Sequence, residues 1–168
     1  MRIGIRDYRT TDFEACRRLW GELTQHHADI YEDPGIAGDD PGRGFEEYID
    51  SPARRGTWVA EVDDRVVGFT GLIVNWDEWE VEPVVVSSPY RNKGIGGMLV
   101  KHASEEARKM GVRFLSIRPV ARNEKAFSLF VRLGFNLVGH VDLFQDLSRS
   151  SDRKWKPGIT IHGNELRY

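Results

Sequence analysis

Apolar and charged residues alternate at the start of the chain, and this period of two is typical of a strand with one buried face. In RIGIRDYR the apolar positions are Ile3 and Ile5, which predicts a first strand. The period then becomes helical, and the apolar face consists of Phe13, Cys16, Trp20, Leu23 and His27. TDFE, residues 11–14, fits a capping box, so we expect a helix from about Asp12 to about His27.

A change of composition separates this helix from a β-rich middle section. Residues 28–44 are rich in Asp, Gly and Pro and predict a loop, and FEEYID predicts a short second helix. Two β-rich runs on either side of Asp63 and Asp64 predict a hairpin. WEVEPVVVSS predicts the strand that follows it.

Helices and strands alternate in the second half of the chain. A helix ends near Lys109, VRFLSIRP predicts a strand, and NEKAFSLFVRLG predicts a last helix. FNLVGHVDLFQDL predicts one or two late strands. We therefore expect residues 1–147 to form one domain of the α/β (α+β) class, with a mixed sheet and helices on both faces. Residues 148–168 form a polar tail, interpreted as an extra strand, a dimer arm or a loose end.

Charge and cysteine content exclude several classes of partner and site. The 168 residues carry a net charge of −2, so no general positive field favours nucleic acid or an anionic membrane. Cys16 is the only cysteine, which excludes an internal disulfide and a cysteine-based zinc site, and we expect no bound metal. We find no apolar run typical of a signal peptide or a membrane span, so we expect a cytoplasmic protein.

The residues SSPYRNKGIGG, 87–97, connect a valine-rich strand to a helix through three glycines. The start of a helix leaves about four N–H groups without helical partners, and its dipole favours negative charge. Glycines allow a ligand to approach the backbone closely, and Arg91 and Lys93 add positive charge. The pattern predicts a phosphate-binding turn. Its spacing matches neither the Walker nor the dinucleotide-binding motif, and a tight turn without a ligand is the alternative.

This turn and the sequence after it resemble the acetyl-CoA-binding half of the GNAT superfamily of N-acetyltransferases. Arg91-x-x-Gly94-x-Gly96 resembles the first block of that family, and Asn123, Ala126 and residues 133–135 (LGF) resemble the second. The resemblance implies a GNAT-like splayed sheet of six to seven strands and acetyl-CoA as cosubstrate. The cofactor contacts that it implies are Val84, Val85, Val86, Arg91, Asn92, Lys93, Gly94, Ile95, Gly96, Gly97, Asn123 and Phe130.

Each implied contact has a role in the family. The backbone of residues 84–86 would pair with the pantetheine arm of the cofactor as an added strand, and the amides of residues 92–97 would hold its pyrophosphate. Asn123 would reach the pantetheine or the far end of the cofactor. Phe130 stands where the family often has a Tyr that protonates the coenzyme A thiolate, and Phe cannot donate a proton.

Transfer of an acyl group to an amine needs a neutral nucleophile, because an amine with a pKa of about 10.4 is almost fully protonated at pH 7. Glu80 and Glu82 alternate along EVEPVVV, so both side chains are expected on one side of the strand. We expect one of them to act as the base, and a solvated or salt-bridged strand Glu is the alternative.

The sequence therefore predicts an N-acetyltransferase that uses acetyl-CoA and a primary amine. The acceptor is expected to be a small molecule, a polyamine, or the N-terminus or a lysine of a protein. A related enzyme that moves another acyl group is one alternative. A coenzyme A-binding sensor without activity is another, because of Phe130. A homodimer is compatible with the sequence.

Overall fold

A computed structural model describes residues 2–147 and 154–168. Its central sheet has five strands in the order β1-β2-β3-β4-β5. The strands are β1 (Ile3–Asp7), β2 (Arg54–Val62), β3 (Arg65–Asn75), β4 (Glu78–Val86) and β5 (Leu115–Ser116). All neighbours are antiparallel except β4 and β5, which run parallel. The predicted fold class, a mixed sheet with helices on both faces, is confirmed.

Four helices cover the sheet: α1 (Phe13–Tyr31), α2 (Gly44–Ile49), α3 (Ile95–Lys109) and α4 (Glu124–Arg132). On one face, α1 and α2 pack against Val59, Phe69 and Val85. On the other face, α3 packs against Trp58, Leu72 and other side chains of the central strands. Because successive side chains of a strand point to opposite faces, the central strands need apolar residues at almost every position.

Helix α4 lies beside the start of α3. A Cβ placed on Gly96 would lie 3.6 Å from a methyl group of Leu129, and one on Gly97 would lie 3.9 Å from Leu133. The glycines at the start of α3 therefore also allow α4 to approach closely.

The sheet is splayed, because β4 and β5 pair over only two residues. Trp79 is opposite Leu115 and Glu80 is opposite Ser116, and the pairing ends there. From Val81 to Val86, β4 is paired with β3 on one side only, among the described residues. We call the space between this open edge and residues 117–123 the cleft.

A bulge in β4 begins where the two strands separate. Val81 is paired with Leu72 and Val84 is paired with Thr70, so residues 82 and 83 lie opposite the single residue Gly71. Val81 and Val84 both pack on the α3 face although three positions separate them. The bulge therefore reverses the alternation of faces along the second half of β4.

Two local predictions are wrong. The capping box at residues 11–14 is not formed: Asp12 is the N-cap of α1 without a side-chain cap, and its carboxylate accepts hydrogen bonds from the Arg6 guanidinium and from the Arg9 N–H. Residues 136–147 form no strand, and their apolar side chains are exposed, which reduces the sheet from the expected six or seven strands to five. A strand needs a partner, and β5, with two residues, offers a very short edge.

The C-terminal segment forms a separate two-stranded sheet. Strands β6 (Pro157–Ile161) and β7 (Asn164–Arg167) are antiparallel, and Lys156 and Tyr168 exchange two main-chain hydrogen bonds of 2.8 Å at the base. An extra strand was one of the three interpretations of this tail, and residues 157–161 form one. The domain boundary expected after residue 147 falls next to residues 148–153, which are outside the described residues, and stays a prediction.

Substitution of Gly71 tests the bulge in β4. A Cβ at this position would overlap the Tyr48 hydroxyl and lie 2.9 Å from the Glu82 carbonyl oxygen. We expect Gly71→Ala to lower the free energy of unfolding by roughly 1–3 kcal/mol in urea titrations, because the buried backbone must move. Gly4→Ala in β1, where a Cβ meets nothing within 4 Å, is the matched control and should change it by less than about 0.5 kcal/mol. Equal effects of the two variants would contradict the constraint.

Candidate active site

The turn between β4 and α3 is built from left-handed residues. After a short 3-10 turn at Ser88–Tyr90, Asn92 has φ 61° and Gly94 has φ 82°, and α3 begins at Ile95. Nothing lies within 4 Å of the position that a Cβ on Gly94 would occupy. Glycine at this position therefore adopts the left-handed conformation without strain and leaves the space at the start of the helix open.

The N–H groups of this turn are unpaired. Among the described residues, none of the six main-chain N–H groups of residues 92–97 donates a hydrogen bond to a protein acceptor. The first helical bond runs from Met98 to the carbonyl oxygen of Gly94, at 3.1 Å. Six adjacent donors at the positive end of a helix dipole form an anion-binding arrangement.

The side chains of the turn hold it in place. Arg91 Nε donates to the main-chain oxygen of Val86 at 2.9 Å, and Lys93 Nζ lies 5.2 Å from the centre of the Tyr90 ring. Ile95 is fully buried in the core, so only its backbone faces the turn. Arg91, predicted as a cofactor contact, thus also fixes the end of β4.

Helix α1 supports the turn from the other side. The carboxylate of Glu22 accepts hydrogen bonds from the Ser87 hydroxyl and from the Ser88 N–H, both at 2.9 Å. These residues are 65 positions apart in sequence, so no local pattern reveals the contact. His26, one turn further along α1, has a pKa lowered mainly by burial and also by the charges of Arg91 and Lys125.

The open edge of β4 offers main-chain groups to the cleft. The N–H of Ser87 donates to the carbonyl oxygen of Val67 on β3. Because peptide groups alternate in direction along a strand, those of Val86 and Val84 face away from β3, towards the open edge. The contact between Arg91 and the Val86 oxygen agrees with this direction. The peptide groups of Val85 face β3 and its side chain is buried, so Val85 offers little to the cleft.

The two candidate bases differ in their surroundings. The Glu80 side chain is only 6% exposed, and it forms a hydrogen-bonded ion pair with Arg118, which also binds Glu78 at 2.6 Å. Glu82 is exposed and forms no ion pair among the described residues. Sequence analysis missed Arg118, which lies two residues beyond β5, because only the register of β4 and β5 shows that it faces Glu80.

Desolvation by surrounding protein atoms raises the pKa of both carboxyl groups. For Glu80 the main cause is desolvation, the charge of Glu82 adds to it, and Arg118 opposes it. For Glu82 desolvation by nearby protein atoms is again the main cause, and Arg118 again opposes it. The charge of Glu82 affects the pKa of Glu80, and the charge of Arg118 affects the pKa of both glutamates. Glu80, Glu82 and Arg118 are therefore electrostatically coupled at the start of the cleft.

The two cofactor contacts predicted on α4 have different positions. The Asn123 side-chain oxygen accepts a hydrogen bond of 3.2 Å from the Ala126 N–H, so Asn123 is the N-cap of α4. Phe130 is buried, and its ring lies 6.4 Å from that of Phe135. Phe130 therefore belongs to the packing of α4.

Within residues 2–147 and 154–168, no group of three or more His, Cys, Asp or Glu side chains is arranged to hold a metal ion. In the same residues, no helix combines the length and apolar character needed to cross a membrane.

Comparison with known proteins gives the family. The model of the acetyltransferase (GNAT) family matches residues 18–135, more than half of the chain, and the chain belongs to this family. The resemblance seen in the glycine turn and the LGF block is confirmed. The match includes the cleft, both candidate bases and α3.

The relatives act on different acceptors. The chain is 32% identical over 113 residues to the streptothricin acetyltransferase of Streptomyces lavendulae, covering 64% of this chain and 56% of the relative. It is 34% identical over 74 residues to the ribosomal protein bS18-alanine N-acetyltransferase of Salmonella typhimurium, covering 44% of this chain and 50% of the relative. The chain thus spans about half the length of these curated relatives.

Among solved structures, a PaiA N-acetyltransferase of Thermoplasma acidophilum in complex with coenzyme A is similar over nearly the whole chain. The TM-score is 0.65 at 18% identity, and the match covers 99% of this chain and 98% of that chain. At this identity the likeness shows the fold alone.

Arg118→Met tests the charge balance of the carboxylates. Without Arg118 the pKa of Glu80 should rise further above the ordinary value of 4.5, since desolvation and Glu82 remain. The folded state then binds more protons than the unfolded state at pH values above 4.5, so the free energy of unfolding should fall more steeply with rising pH than in the unsubstituted protein. Urea unfolding between pH 4 and 8 measures this slope. Arg113→Met, on an exposed arginine, is the control, and identical slopes in all three proteins would contradict the role of Arg118.

Proposed function

We propose that this protein is an N-acetyltransferase that transfers the acetyl group of acetyl-CoA to a primary amine. The observation that carries the proposal is the row of six unpaired N–H groups at the start of α3, next to an open edge of β4. Donors of this kind bind a diphosphate, and an open strand edge pairs with an extended, amide-bearing chain. Coenzyme A contains both.

The residues of the chain divide the binding between them. The amides of residues 92–97 hold the pyrophosphate, and the edge groups of Val84 and Val86 pair with the pantetheine arm. Acetyl-CoA supplies the activated acetyl group as a thioester. Among the edge N–H groups of β4, that of Val86 is the nearest in sequence to the glycine turn. This N–H can polarise the thioester carbonyl.

The reaction is a direct displacement. The amine nitrogen attacks the carbonyl carbon, the new C–N bond replaces the C–S bond, and coenzyme A leaves as the thiolate. Glu82 takes one proton from the ammonium group so that the neutral nitrogen can attack, because its carboxylate is exposed and forms no ion pair among the described residues, while Glu80 is held by Arg118. The second proton leaves the nitrogen for solvent as the amide forms. A raised pKa makes Glu82 a better base than an ordinary carboxylate.

Protonation of the leaving thiolate needs no side chain of α4. Phe130 is buried and has no proton to give. A thiol with a pKa of about 8.5 leaves as a fairly stable anion, and solvent in the open cleft can protonate it. The absence of a hydroxyl group at this position is therefore compatible with turnover.

Before it reacts, the acceptor is a protonated and therefore cationic amine. Three glutamates and one arginine give the start of the cleft a net negative charge, which attracts a protonated amine. The relatives named above, which act on streptothricin and on a ribosomal protein, support both a small-molecule and a protein acceptor.

Gly94 gives a direct test of cofactor binding. Asn and Asp both tolerate the left-handed conformation found there, so Gly94→Asn and Gly94→Asp differ mainly by one negative charge. We expect Gly94→Asp to weaken coenzyme A binding by roughly ten- to a hundredfold relative to Gly94→Asn, because the carboxylate repels the diphosphate. Titration calorimetry at low and high salt measures this. Equal affinities of the two variants would place the diphosphate elsewhere.

Glu82→Gln tests the base. We expect kcat to fall by about 10²- to 10⁴-fold, because Gln cannot accept the proton. The increase of kcat/KM with pH on the acid side of the pH–rate profile should also be lost. Coenzyme A affinity should stay unchanged. Thiol release from acetyl-CoA with a panel of amines gives the rates, and Glu80→Gln is the matched variant. A larger loss in Glu80→Gln would make Glu80 the base, and binding of coenzyme A without turnover for any amine would favour the sensor function.

A further inference from the structure

Arg122 is a buried guanidinium that binds main-chain oxygens from two distant segments. It is only 7% exposed and directly precedes Asn123, the N-cap of α4. Its Nη1 lies 3.5 and 3.4 Å from the oxygens of Ile30 and Tyr31, at the end of α1. Its carbon Cζ lies 4.7 Å from the centre of the Tyr31 ring.

The other donors of Arg122 bind the C-terminal hairpin, residues 154–168. Nη2 donates to the oxygen of Lys154 and Nε donates to the main-chain oxygen of Tyr168 at 3.2 Å. Arg122 therefore contacts both ends of the hairpin. Two weaker contacts accompany it, between Tyr168 and Glu124 at 3.4 Å and between Lys154 and Glu32 at 3.8 Å.

The position of Arg122 follows from the splayed sheet. The end of α1 and the start of α4 meet through Arg122, beyond the last pair of β4 and β5. Helix α1 is bound to the end of β4 through Glu22 and to the far side of the cleft through Arg122. Glu22 and Ile30 are eight residues apart, which corresponds to about 12 Å of helix. Helix α1 thus spans the cleft, and the hairpin is attached at its far end.

The hairpin depends on this attachment. A two-stranded sheet is marginally stable alone, and most side chains of residues 154–168 are exposed. Since its contacts are few and Arg122 makes those at both ends, the guanidinium sets where the hairpin lies. Each of the three nitrogens of Arg122 makes at least one of these contacts, so four of its five N–H donors are directed at main-chain oxygens.

We propose that Arg122 is a positioning residue for acceptor selection: it fixes the C-terminal hairpin beside the cleft, and the hairpin limits which amines reach the thioester. This inference rests on the proposed acetyl transfer. It assigns the tail a role in substrate choice, beyond the roles of extra strand, dimer arm or loose end expected from sequence.

The first measurement is hydrogen exchange of the full chain, with and without coenzyme A. Arg122→Met removes every donor and keeps much of the volume, and Arg122→Lys keeps the charge but cannot reach all four oxygens. Arg113→Met is the control, because Arg113 is exposed and makes none of these contacts. We expect the amides of residues 156–168 to exchange at least tenfold faster in Arg122→Met, less so in Arg122→Lys, and unchanged in the control. Unchanged exchange in Arg122→Met would overturn the proposal.

The second measurement is steady-state kinetics with ethanolamine, spermidine and a peptide with an N-terminal alanine. We expect Arg122→Met to raise KM for the best acceptor at least tenfold and to reduce the differences in kcat/KM between the three amines. The dissociation constant of coenzyme A should change less than about twofold. A merely structural defect would lower kcat through a smaller active fraction and leave KM unchanged, and that result would overturn the proposal. If Arg122→Met is poorly folded, the same comparison is made with Arg122→Lys.

Failure of the proposed function gives a different result. In that case the unsubstituted protein binds no coenzyme A, or releases no thiol with any amine, and the role in acceptor selection falls with it. If the unsubstituted protein transfers acetyl groups and the KM values of Arg122→Met and the control agree, only the role of Arg122 is wrong.

Discussion

The separation of β4 from β5 after the pair Glu80–Ser116 is the constraint on which the rest of the structure depends. In a fully paired sheet, β3 and β5 would satisfy every main-chain group of β4, and no edge would be left for a ligand. Because the pairing stops, Val84 and Val86 keep edge groups that face the cleft. The same gap exposes Glu82 and allows the ends of α1 and α4 to meet through Arg122.

Opposite charges lie at the two ends of the cleft. The N–H groups at the start of α3 provide a positive end that needs no net positive charge on the chain. The glutamates at the start of β4 provide a negative end, which Arg118 neutralises only in part. This arrangement suits a reaction in which an anionic cosubstrate and a cationic amine approach the same carbonyl group from two sides. It also explains why the overall charge of −2 carries no information about the site.

The errors of the sequence analysis have a common physical cause. TDFE has the residues of a capping box, but Asp12 is bound by Arg6, a tertiary contact that a local motif cannot show. Residues 136–147 alternate like a strand, but alternation describes the side chains and not the availability of a partner edge. An extra strand was one of the three interpretations of the tail, and the structure has a strand there. Its attachment through Arg122 was not predicted, because Arg122 is 32 positions from Lys154 and 92 positions from Ile30 in the sequence.

The sequence by itself determined the elements whose signal is local: the first strand, the central hairpin, the glycine turn, the helices α1 to α4 and the family resemblance. Periodicity, left-handed glycines and helix starts act over a few residues, so the sequence records them directly. Only the tertiary structure decided where β4 leaves β5, which glutamate is paired, and how α1, α4 and the C-terminal hairpin meet. These features depend on strand register and on contacts across the sheet, where partners distant in sequence compete for the same main-chain groups and charges.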